Sequence, residues 1–148
     1  MVSPAVLRRF FRDVAIVVAR KNAPVAVGDV GVLFPWEVFW LELADGSGYR
    51  LPSTRSPFRH VDKDLALGAA AKMLKSQVSA ARVIPDVAYG EGLVTVVRIH
   101  LSEAISQEGP DLPPGFGASH WVRWFPPREE SLKMRERDID LVSMALQR

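Results

Sequence analysis

His60, His100 and His120 are the chain's three histidines, and the first sits in a pattern with chemical content. His60, Asp62 and Asp64 read H-x-D-x-D, which brings an imidazole and two carboxylates close enough to hold a divalent cation. The same two aspartates suit the first turn of a helix, where acid meets the positive end of the backbone dipole. No second donor cluster completes a cage, so neither a metal site nor a cofactor is expected. His120 follows Ser119, but neighbours in sequence do not make a nucleophile–base pair, which is defined by geometry. Gly115-Phe116-Gly117 is too short for a phosphate-cradling loop. The acids Asp86, Glu91, Glu103 and Asp111 have no mutual spacing that assigns acid and base roles.

The stronger signal is electrostatic. Residues 31–60 place Phe34, Trp36, Phe39, Trp40, Tyr49 and Phe58 beside Arg50, Arg55, Arg59 and His60. Residues 8–21 hold Arg8, Arg9, Arg12, Arg20 and Lys21 against a lone Asp13. Guanidinium groups bind phosphates, and aromatic rings stack on unpaired bases. The expected site is therefore Arg8, Arg9, Arg12, Tyr49, Arg50, Arg55, Phe58, Arg59 and His60. The expected function is a non-catalytic nucleic-acid-binding module, with RNA or single-stranded DNA as partner. Two alternatives stay open. One is a homo-oligomeric or complex-forming interaction subunit that uses Trp36 and Trp40 on one strand face. The other is an enzyme with its site near His60 and Asp62.

Composition sets the frame for these readings. The chain has 148 residues, 48% hydrophobic and 24% charged, which suits one globular domain over residues 1–148 with a core of its own. There is no cysteine, so disulfides and thiol chemistry are excluded. The apolar run at residues 14–19 is too short to span a bilayer, and a cytoplasmic protein without membrane contact is expected. Scarce Asn and Gln and a preference for Arg over Lys fit a thermophile or a GC-rich genome equally.

The periodicity predicts an N-terminal helix over 3–21, since Leu7, Phe10, Phe11, Val14, Val17 and Val18 recur at three- and four-residue spacing. A short strand or hairpin is expected over 25–34. A strong strand over 36–44, apolar on both faces, turns at Asp45-Gly46-Ser47-Gly48 into a return at 49–51. A loop over 52–60 leads to a helix starting at Asp62 or Asp64 and carrying Leu67, Ala70, Leu74, Val78 and Ala81 on one face. Residues 82–88 and 93–101 form a hairpin, followed by a helical turn over 102–107. A Gly/Pro-rich loop over 108–118, a strand over 119–125 and a C-terminal helix from 128 or 129 complete the chain. The fold class is α+β: a largely antiparallel sheet of about five strands with an N-terminal, a central and a C-terminal helix.

Overall fold

The apolar run at residues 14–19 builds a strand, β1 (Phe11–Lys21), in the middle of a mixed sheet. Val14, Ile16 and Val18 enter one core, Ala15 and Val17 the other, and all five are fully buried. A run that is apolar at every position satisfies helical spacing and strand alternation alike. Its β-branched residues and the neighbours on both edges select the strand. The expected helix over 3–21 is corrected accordingly. The structure is a computed structural model that describes residues 11–21, 25–26, 28, 32–33, 36–57, 62–75, 78–89, 92–101, 110–124 and 133–146. The first ten residues lie outside that set.

Along the chain follow β2 (Val25–Ala26), β3 (Val32–Leu33), β4 (Trp36–Leu43), β5 (Tyr49–Arg50), β6 (Ser53–Pro57), α1 (Asp62–Leu74), β7 (Val78–Tyr89), β8 (Gly92–Leu101), β9 (Phe116–Arg123) and α2 (Glu136–Leu146). Among the described residues, β2 and β3 pair with each other in a separate two-stranded sheet. The other seven strands form one sheet in the order β5-β4-β1-β8-β7, with β6 also on β1 and β9 also on β4. β1 and β8 run parallel, and the remaining pairs are antiparallel. The class is thus α+β, with seven strands and, among the described residues, two helices. The two strands beyond the expected five are β1 and β6. β6 occupies most of the expected 52–60 loop, held by its ladder to β1 and by Ile16 N–H donating to Pro52 O at 2.8 Å.

Three boundaries move for identifiable reasons. α1 stops at Leu74 because Lys75 turns into the left-handed region (φ 52°), so Val78 and Ala81 belong to β7 and not to the helix. β7 continues through Pro85, at an irregularity between Ile84 and Val87 where a missing N–H is tolerated. β9 begins inside the expected 108–118 loop, and α2 begins at Glu136, later than 128–129. The expected helical turn over 102–107 and residues 125–132 are outside the described residues. The turn after β4 forms as expected, with Gly46 at φ 73° and Ser47 N–H donating to Asp45 Oδ1 at 2.9 Å.

Each sheet face carries one helix. On one face Ala66, Ala70 and Leu74 of α1 meet Val14, Ile16, Val97 and Ile99. On the other, Leu141, Val142 and Ala145 of α2 meet Ala15, Val17, Val94 and Val96. α2 is tied at both ends. Arg82 and Arg98 donate to the carbonyls of Met144 (3.2 Å) and Ala145 (3.0 Å) in its last turn. In its first turn the buried Asp138 carboxylate accepts from Leu51 N–H (3.3 Å) and from Arg135.

Candidate ligand-binding face

β4 and β9 pair from Glu37 opposite Arg123 to Leu43 opposite Phe116. Directly opposed residues share a face, and faces alternate along each strand. Glu37, Phe39 and Leu41 therefore line the α1 side together with Ser119, Trp121 and Arg123. Arg20 of β1 lies opposite Glu37 on the other flank. The result is a row across three strands, Arg20–Glu37–Arg123, with the pair Phe39–Trp121 directly behind it.

The row is connected. Arg20 Nε donates to Glu37 Oε1 at 3.3 Å. The Arg20 guanidinium also lies 4.1 Å from the centroid of the Trp121 ring, and Phe39 meets that ring edge-on, centroids 5.2 Å apart at 63°. Trp121 itself is partly exposed. Arg123 keeps a buried Nε without a hydrogen-bond partner. Trp40 Nε1 and Arg98 Nε on the opposite side share that state, each at a cost of about 1–3 kcal/mol. Asp111 meets the end of α1: its N–H donates to Met73 O at 2.8 Å, and Lys75 Nζ pairs with its Oδ1 at 3.4 Å. Among the described residues of the row, two guanidiniums against one carboxylate leave an excess of positive charge suited to an oxygen-rich anion. The guanidinium over the indole beside them suits a planar ring.

The opposite side of the same two strands is different. Trp40 is fully buried and stacks on Trp124, centroids 6.3 Å apart. Towards the sheet edge His120 Nε2 lies 3.2 Å from Glu42 Oε1, and the Tyr49 ring stacks on the imidazole at 5.0 Å. The Lys133 ammonium stands 5.8 Å from the Tyr49 ring.

Of the residues the sequence singled out, Arg8, Arg9, Phe58, Arg59 and His60 lie outside the described set. Arg12 stands in β1 opposite Ser56. Tyr49 is buried, Arg50 donates to the Tyr49 carbonyl at 2.9 Å, and the exposed Arg55 pairs with Asp13 at 3.6 Å. Tyr49 and Arg50 belong to a strand on β4, and Arg55 to one on β1. Asp64 is exposed on α1, and among the described residues no three His, Asp or Glu converge on a point where a metal could sit. Trp40 is not the contact surface expected of it, because Trp124 covers it, and Trp36 lies beneath the Arg98 guanidinium at 6.0 Å. Sequence reasoning missed Glu37, Trp121 and Arg123 as site residues. Their alternation was legible, but the pairing that aligns them with Arg20 was not.

The sequence matches no protein-family model and no curated protein. Solved structures do share the architecture. An ADP-ribose pyrophosphatase from Streptococcus suis matches with TM-score 0.55 at 14% identity, over 93% of this chain and 92% of that one. An Ap4A hydrolase from C. elegans matches at 0.56 and 12%, over 89% and 92%. A Nudix hydrolase from M. smegmatis matches at 0.56 and 12%, over 90% and 83%. At these identities the likeness is one of fold, and the fold is Nudix-like. It corrects the expected non-catalytic nucleic-acid-binding module, which rested on arginine clustering in the sequence: the architecture is shared with hydrolases.

Proposed function

We propose that the protein is a hydrolase of small nucleotides joined through phosphoanhydride bonds, bound on the α1 side of β4 and β9. The Arg20–Glu37–Arg123 row beside the partly exposed Trp121 carries this reading. Fold likeness alone would be analogy; the row adds chemistry that fits the substrate class. Arg20 and Arg123 neutralise phosphate oxygens and the charge that grows on the departing phosphate. The indole–guanidinium stack holds the flat base. Glu37 keeps the Arg20 guanidinium aligned. Water's oxygen bonds to phosphorus, the bridging P–O bond breaks, and two phosphorylated products and a proton leave.

Cleavage of this kind commonly relies on a divalent cation held by carboxylates. The donors among the described residues do not fit one. α1 has no acid beyond Asp64, and Glu37, the carboxylate of the row, is engaged by Arg20.

The test is product formation from ADP-ribose and from diadenosine tetraphosphate, followed by chromatography. Turnover of at least one is expected, with kcat/KM lowered about tenfold in Trp121→Ala, the loss of one base-stacking contact. Absence of product from both compounds would overturn the reading.

A further inference from the structure

We infer that this protein holds the phosphates of its ligand with arginine and not through a carboxylate-bound divalent cation, so that nucleotide binding is independent of Mg2+. The inference rests on the reading above, that the ligand is a small phosphoanhydride nucleotide.

Mg2+ demands near-octahedral oxygen ligands and is usually held by one or two carboxylates together with the substrate's phosphates. Among the described residues, two carboxylates on the α1 side are already paired with cations. Glu37 pairs with Arg20 at 3.3 Å, and Asp111 with Lys75 at 3.4 Å. A cation bound by either of them would have to displace a guanidinium or an ammonium. The helix on this side carries its two acids, Asp62 and Asp64, only at its start. From residue 65 to 74 α1 reads LALGAAAKML, and its last turn carries Lys72 instead of an acid. The positive charge a diphosphate needs is therefore supplied by side chains. Arg20 and Arg123 flank Glu37 from both neighbouring strands, and the buried Nε of Arg123 has no hydrogen-bond partner. Guanidinium forks match phosphate oxygens two at a time, which a metal-free site requires.

The experiment is calorimetric titration of the whole chain with ADP-ribose, once in excess EDTA and once in millimolar Mg2+. Arg123→Ala and Arg123→Lys are run beside the parent, each first checked for a parent-like circular dichroism spectrum. Affinities in EDTA and Mg2+ that agree within about twofold, with a loss of about tenfold in Arg123→Ala, are expected. Arg123→Lys keeps the charge but not the fork and should fall between the two. Binding seen only with Mg2+ would overturn the inference and leave the proposed substrate class standing. Mg2+-independent binding unchanged by both variants would remove the arginine row as its seat. No binding in either buffer would overturn the substrate class and, with it, the inference.

Discussion

On the α2 side of the β4–β9 ribbon, Trp40 is sealed beneath Trp124; on the α1 side, one register step away, Trp121 stays partly exposed under Arg20. Both tryptophans belong to the same antiparallel pair, and each lies in a row of opposed residues: Trp40 faces His120, and Trp121 faces Phe39. The difference arises from what covers them. α2 and the chain leading into it lie over the first face, where Met134 bridges to Tyr49. α1 sits instead over β1, β6, β7 and β8, and Leu112 and Phe116 pack against the same core. Trp40 is therefore spent on stability, while Trp121 retains ring surface beside charged neighbours.

This contrast can be attacked by substitution, beginning with the dry face. Trp40→Ala should cost about 3–5 kcal/mol in denaturant unfolding, because a fully buried indole leaves a cavity. Trp121→Ala should cost far less in the same measurement while lowering ADP-ribose affinity about tenfold. Comparable unfolding losses in the two variants would erase the distinction between the faces. Asp138→Ala comes next, at about 1–3 kcal/mol, since the buried Leu51 N–H would lose its acceptor. That loss should leave affinity for ADP-ribose unchanged in the folded fraction. Glu37→Gln sharpens the assignment on the open face. A carboxylate that only aligns Arg20 predicts a raised KM with a nearly constant kcat. A fall in kcat at constant KM would instead give Glu37 a part in proton transfer.

The smallest effect is a matter of pH. The Asp45 carboxyl is held below its ordinary value, first by the hydrogen bond of the Ser47 hydroxyl and then by the Ser47 N–H. A depressed folded value means that the stabilisation is present above the unfolded pKa and is lost as pH falls through the folded one. Acidification through the lower carboxylate range should loosen the β4–β5 turn, read as faster amide exchange at Ser47, without moving the Trp121 resonances. A turn that tightens on acidification would contradict this sign.

The same physics explains what the residues disclosed in advance. The β4 strand and its Asp45-Gly46-Ser47-Gly48 turn were legible because alternation and turn chemistry are local signals. β1 was not, since a segment apolar at every position between Val14 and Ala19 carries no period to choose by, and only its neighbours in the sheet decide. β6 was hidden for the opposite reason: Ser53, Thr54, Arg55 and Ser56 look like loop residues until β1 offers them a ladder. The candidate site suffered similarly. Arg20, Glu37 and Arg123 lie far apart in the chain, and only the register of two strand pairs sets them in line. The expectation built on contiguous stretches of arginine could not see a row that runs across the sheet.

The four tryptophans provide the most direct measurement, because each indole N–H gives its own nuclear magnetic resonance signal. Titration with ADP-ribose should shift the Trp121 signal in a saturable way and leave those of Trp40 and Trp124 in place. Saturable shifts confined to Trp40 and Trp124, or no shift in any of the four, would contradict a ligand site on the α1 side of β4 and β9.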